Sequence, residues 1–115
     1  MIRSVNPFDQ SLLDEFPELE ENEIADKLDM AANTFKSWRL ENFSRRAELM
    51  KRAGDILRAD KKRYARIIST EMDKVLSEAE GEVEKCAGAC HYFADRAEDF
   101  LRDQMVKTDA SKSFI

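Results

Sequence analysis

A chain of 115 residues has room for one modest domain. With 43% hydrophobic and 37% charged residues but only three Gly and two Pro, it is not collagen-like, linker-like or typically disordered. The net charge of −5 gives no global case for nucleic acid or an acidic membrane.

From the N-terminus, residues 1–21 read as an extended lead-in. They contain Pro7 and Pro17 and a short turn at 9–15. The polar Ser4, Asn6, Asp9 and Gln10 interrupt any signal-peptide core, and no window offers the ~20 apolar residues of a membrane span. Two cysteines make no disulfide framework, so a reduced, cytoplasmic protein is expected.

Apolar spacing predicts four helices. The first, over 23–38, places Ile24, Leu28, Ala31, Phe35 and Trp38 at steps of three and four, with Asn22 as N-cap. The second, over 45–58, has Ser44 as cap and Leu49, Met50, Ala53, Ile56 and Leu57 on one side. The third, over 61–72, starts at Asp60 and carries Tyr64, Ile67, Ile68 and Met72. The fourth, over 78–104, opens on a Ser77/Glu80 capping box; its stripe runs from Leu76 to Met105 and is dominated by small residues in its middle. Residues 106–115 lose the helical period and end on Phe114-Ile115, the possible start of a strand with nothing to pair with. The expected fold as present is therefore all-α, with about four helices.

Charge is blocked along the chain. Residues 1–30 hold nine acids and two bases, residues 36–66 eleven bases and four acids, and residues 67–115 eleven acids and six bases. The basic block, including Arg45, Arg46, Lys51, Arg52, Arg58, Lys61, Lys62, Arg63 and Arg66, is the best nucleic-acid candidate. Few aromatics interleave it, and Glu48 and Asp55 lie at ion-pair spacing. A solvated helix face is the expected role, with no nucleic-acid or membrane partner.

Cys86 and Cys90 are one helical turn apart, with His91 beside them. Zinc needs four ligands, or three and a water, and His91 lies about 100° around the helix from Cys90. The two thiols are expected to pack in the core as small hydrophobes. Phe35 and Trp38 are assigned to the core as well. Gly54, Gly81 and Gly88 fall inside helices, form no phosphate-binding loop, and are expected to permit close packing. No catalytic, cofactor-binding or metal-ligating residue is assigned.

Five segments in order resemble the N-terminal part of the aldehyde dehydrogenase superfamily. They are Val5-Asn6-Pro7, the helix Ala31–Trp38, the pair Arg46–Leu49 and Ala53–Leu57, the stretch Glu71–Ala79, and Val83–Cys86 with Cys90–Ala94. The last is similar to the long helix of succinate-semialdehyde dehydrogenases. The resemblance extends into Thr108–Ser111, before the family's first long strand. It departs at Asp73 and Val75, where the family commonly has Gly and Pro.

The resemblance implies that residues 1–115 are a partial N-terminal segment of an α/β cofactor-binding domain. The complete enzyme would oxidise an aldehyde to an acid with NAD or NADP, using a Cys nucleophile and a Glu base that lie beyond residue 115 in the family. Neither Cys86 nor Cys90 matches that nucleophile's motif. The chain alone is expected to bind no cofactor and catalyse nothing. It would pair with itself or with the remainder of an aldehyde dehydrogenase through exposed helix faces. The alternative is a free-standing helical interaction module.

Overall fold

The computed structural model describes residues 1–115, and the four expected helices are all present. The N-terminal lead-in is more ordered than the sequence suggested. Strands β1 (Ile2–Val5) and β2 (Leu12–Phe16) form an antiparallel hairpin, with Ile2 opposite Phe16 and a bulge between Ser4 and Val5. The expected turn at 9–15 is displaced towards the N-terminus. The Asn6 carbonyl accepts from Gln10 N–H at 2.8 Å, and Asn6 N–H donates to Ser11 O at 2.9 Å. Asn6 and Asp9 side chains accept from Phe8 N–H and Ser11 N–H, each at 3.0 Å, so Asx turns replace the usual glycine.

Helix α1 spans Glu21–Trp38, α2 Phe43–Ala59, α3 Lys61–Met72 and α4 Leu76–Phe100. The caps differ from expectation because the helices begin a residue or two earlier. Asn22 lies inside α1, where Glu20 N–H donates to Glu23 Oε2 at 2.8 Å. Asn42, not Ser44, caps α2 by accepting from Arg45 N–H at 2.8 Å. Asp60 precedes α3 as expected, but its carboxylate pairs with Arg63 at 3.3 Å instead of capping. Ser77 and Glu80 both lie within α4; Val75 is the cap residue, and its carbonyl accepts from Glu78 and Ala79 N–H at 3.0 Å.

Two turns settle how the helices meet. Asp73 ends α3 in the left-handed region with φ 52°, a conformation that suits glycine and strains most other side chains. Ser69 Oγ donates to Lys74 O at 2.7 Å across the same turn. At the far end, α4 stops at Phe100, short of the expected 104. The tail then folds back on itself: Gln104 and Ile115 exchange backbone hydrogen bonds of 2.9 and 3.0 Å, and Met105 bridges Phe114. The C-terminal strand start thus finds a partner in residues 104–106.

Helix α4 packs along both α2 and α3. The core is small: Ala65, Ala79, Val83 and Ala87 are buried together with Gly54, and Leu57, Tyr64 and Ile68 cover the Ala65–Val83 cluster. Only five of 115 residues are buried. The radius of gyration is 20.5 Å, against ~13 Å for a compact chain of this length. The accessible surface is 9698 Å². A compact protein of 13.3 kDa would expose roughly 6,500 Å². The difference is on the order of 3,000 Å², and the exposed side chains include Ile24, Leu28, Phe35 and Trp38 of α1.

Candidate functional site

The sequence motifs that could carry chemistry do not converge. Cys86 is exposed and Cys90 half-buried, so neither is the core thiol expected. Cys86 falls on the flank of α4, while Val83 and Ala87 take the face turned to α2 and α3. His91 turns the other way, onto α2. Its Nε2 is 3.1 Å from Asp55 Oδ1 but too poorly aligned for a hydrogen bond, and it is otherwise buried without a partner. No group of three or more His, Cys, Asp or Glu side chains gathers where a metal could sit.

The imidazole rests on Gly54. A Cβ there would lie 2.8 Å from His91 Cδ2 and 3.0 Å from Ala87 O, so this glycine does permit the α2–α4 approach. Gly81 and Gly88 have nothing within 4 Å of a Cβ, which departs from the packing role expected of them. All three glycines lie within helices, so none of them forms a Gly-rich loop at a helix N-terminus of the kind that cradles a pyrophosphate.

The basic block is largely engaged within the fold. Lys51 pairs with Asp95 at 2.6 Å and Arg58 with Glu84 at 2.7 Å, both joining α2 to α4. Arg45 pairs with Glu48 at 2.8 Å. The hydrogen bond from Lys51 holds the Asp95 carboxyl below its ordinary range, and the one from Arg58 does the same for Glu84. Arg63 lies 4.3 Å over the Tyr64 ring.

The most distinctive surfaces are apolar. Helix α1 buries no residue: Phe35 is 58% and Trp38 42% exposed, correcting their assignment to the core. Periodicity found the face but could not say that this chain supplies nothing to cover it. Two ties hold the ends of this part of the chain. Ser4 Oγ in β1 donates to Glu71 Oε1 in α3 at 2.7 Å. Arg46 Nη2 donates to Trp38 O at 2.8 Å, with the guanidinium 5.5 Å from the Trp38 ring. Sequence reasoning placed Arg46 in the basic block and in the Arg46–Leu49 segment and missed this clamp, which satisfies an orphan carbonyl at the C-terminus of α1.

Where α1, α2 and α4 meet, Trp38, Phe43, Met50, Phe93 and Leu101 surround a concavity of about 210 Å³. Ala94 and Ala97 complete it, and Arg46 is its sole charged lining residue.

Residues 1–115 match the aldehyde dehydrogenase family throughout. The chain is 39% identical, over 99% of its length, to a probable succinate-semialdehyde dehydrogenase (NADP(+)) of Synechocystis. A succinate semialdehyde dehydrogenase (NAD(P)+) of Escherichia coli is 30% identical over 97% of it. The crystal structure of succinic semialdehyde dehydrogenase from Streptococcus pyogenes with NADP+ superposes at a TM-score of 0.90, with 32% identity and 97% of this chain covered. The chain spans about a quarter of the length of each: 25% of the Synechocystis protein, 24% of the Escherichia coli protein and 25% of the Streptococcus chain. A hairpin and four helices laid out as in those enzymes, with their apolar faces open, agree with the match over every residue: the chain belongs to the aldehyde dehydrogenase family.

Proposed function

We propose that these 115 residues form the N-terminal helical layer of an NAD(P)-dependent aldehyde dehydrogenase of the succinate-semialdehyde type. In the complete enzyme an aldehyde and water become a carboxylic acid while the nicotinamide accepts hydride. This segment supplies packing surface for that enzyme and none of its reacting groups. Its partner is the remainder of the same enzyme.

The uncovered apolar surface supports this reading. A helix with its hydrophobic residues on one stripe needs something to bury them against. Here α1 has the stripe, from Ile24 to Trp38, and buries none of it. The names of the Synechocystis, Escherichia coli and Streptococcus relatives make succinate semialdehyde the substrate to try first.

Two assays test the proposal. The purified chain, given NAD or NADP and succinate semialdehyde, should reduce no cofactor. A chimera of the Synechocystis relative, with its matching quarter replaced by this chain, should remain soluble and oxidise the aldehyde. Turnover by the chain alone that disappears on substitution of Cys86 or Cys90 would overturn the non-catalytic role. An insoluble chimera, together with a cooperatively melting homodimer of the chain by light scattering, would favour a free-standing interaction module.

A further inference from the structure

We propose that Cys86 and Cys90 form a site for a two-coordinate soft cation of the Cu(I) class, held between their sulfurs on the flank of α4. The site lies within this chain and is independent of the activity proposed above.

Spacing comes first. Side chains four residues apart on a helix stand one above the other, with Cβ atoms about 5–6 Å apart. Helix α4 runs unbroken from Leu76 to Phe100, so Cys86 and Cys90 keep that spacing. A disulfide needs its Cβ atoms at ~3.5–4.5 Å, so the two thiols cannot be joined directly without bending the helix. An ion between them removes the mismatch. Two metal–sulfur bonds of ~2.3 Å in line set the sulfurs ~4.6 Å apart. Each Cβ then lies slightly outside its sulfur, because the angle at sulfur is wider than a right angle. The resulting separation falls in the range that the helix already holds.

The number of ligands decides which ion fits. His91 is turned onto α2, with its Nε2 3.1 Å from Asp55, and does not join the thiols. No group of three or more His, Cys, Asp or Glu side chains gathers in the fold. Zinc, which takes four ligands or three and a water, is therefore poorly served. Thiolates are the soft ligands that Cu(I) prefers, and two of them in line complete its shell.

Access is open on this side of the helix. Cys86 is exposed and Cys90 half-buried, both as free thiols. Between them, Ala87 turns to the core, while Gly88 and Ala89 add almost no bulk. A Cβ on Gly88 would meet nothing within 4 Å. Binding replaces two S–H bonds with two S–Cu bonds, releases two protons to solvent and changes no oxidation state. Two thiolates and one monovalent cation carry a single negative charge, which the Lys85 ammonium, next in sequence to Cys86, offsets.

The test gives the 115-residue chain Cu(I) as its bicinchoninate complex, without oxygen or added thiol. The chain should withdraw one Cu(I) per molecule, with far-UV circular dichroism and the mass by light scattering unchanged, and excess Zn(II) should not displace it. Cys86→Ser and Cys90→Ser should each weaken binding by more than the ~100-fold that loss of a group merely supporting a ligand costs. If Cys90→Ser lowers the helix content, Cys90→Ala takes its place. A further variant, Cys90→Ser with Gly88→Cys, keeps two thiols but sets them about 200° apart around the helix. It should bind no better than Cys90→Ser alone. A single-thiol variant with the parent's affinity, or a displaced pair that binds as tightly, would overturn the proposal. So would equal affinity for Zn(II), or a Cu(I)-bridged dimer in place of the one-to-one complex.

Discussion

Gly54→Ala is the sharpest test of the packing, because two opposing effects of known size meet there. Alanine in place of glycine within a helix is worth about 1 kcal/mol in intrinsic propensity. At Gly54, however, the new Cβ falls 2.8 Å from His91 Cδ2, 2.9 Å from His91 Nε2 and 3.0 Å from the Ala87 carbonyl. The imidazole can swing aside, at the expense of its approach to Asp55, but the carbonyl belongs to the backbone of α4. Overpacking of this kind costs roughly 1–3 kcal/mol. The net expectation is a loss of about 1 kcal/mol, or ~4–8 °C in Tm for a domain of this size. Thermal melts of Gly54→Ala, His91→Ala and the double variant measure it. The alanine penalty should shrink in the His91→Ala background, where only the carbonyl still crowds the methyl. Gly81→Ala and Gly88→Ala, which meet open space, should instead gain about 0.5–1 kcal/mol. A Gly54→Ala chain melting at or above the parent would refute the close-approach argument, as would all three glycines shifting together.

Asp73→Gly relieves a left-handed residue at φ 52° and should stabilise by about 0.5–1 kcal/mol, read as a higher urea midpoint. Val75→Pro should add about 0.4–1 kcal/mol, since φ at Val75 is already −56° and proline mainly restricts the unfolded chain. The Lys51–Asp95 and Arg58–Glu84 pairs lower both carboxyl pKa values in the fold, so their stabilisation is present above the ordinary values of 3.8 and 4.5. It is lost as pH falls through the lower folded values; urea midpoints taken down through the acid range should therefore fall, and less steeply in Lys51→Met and Arg58→Met. Maleimide should modify the exposed Cys86 faster than the half-buried Cys90, as mass spectrometry of partially labelled chain would show.

The helices were legible because a stripe at steps of three and four is a local property of the sequence. The cap position of α3, Asp60, was legible too; the other three were not, since Asn22, Ser44 and Ser77 are all good capping residues that happen to lie just inside helices beginning earlier. The hairpin escaped notice because its turn uses Asn6, Asp9 and a left-handed Gln10 at φ 62°, with no Asn-Gly or Asp-Gly pair to announce it. Tail pairing between Met105 and Phe114 was hidden for a similar reason: both strands are too short to show alternation. Phe35, Trp38 and Cys86 mark a deeper limit. Hydrophobic spacing identifies a face meant for burial, but whether it is covered depends on what else is present. The strain at Asp73 was readable in advance, from an acid standing where the resembled family has glycine. Arg46 as a clamp on Trp38 O was not, because the contact joins two helices across a turn whose course only the fold defines.

The open face of α1 has a consequence for synthesis. Helices α2, α3 and α4 pack on one another through residues that have all been synthesised by Phe100, so this small core can form early. In a polypeptide as long as the relatives, about three quarters remains to be translated at that moment. At roughly 5–20 residues per second, that leaves the stripe from Ile24 to Trp38 waiting for tens of seconds. Exposed apolar surface of this kind is prone to associate, and crowding of neighbouring nascent chains on one message would set their stripes against each other. The acidic residues at the start of α1, Glu20, Glu21, Glu23 and Asp26, place like charge at the end of each stripe, which opposes the meeting of two such stripes.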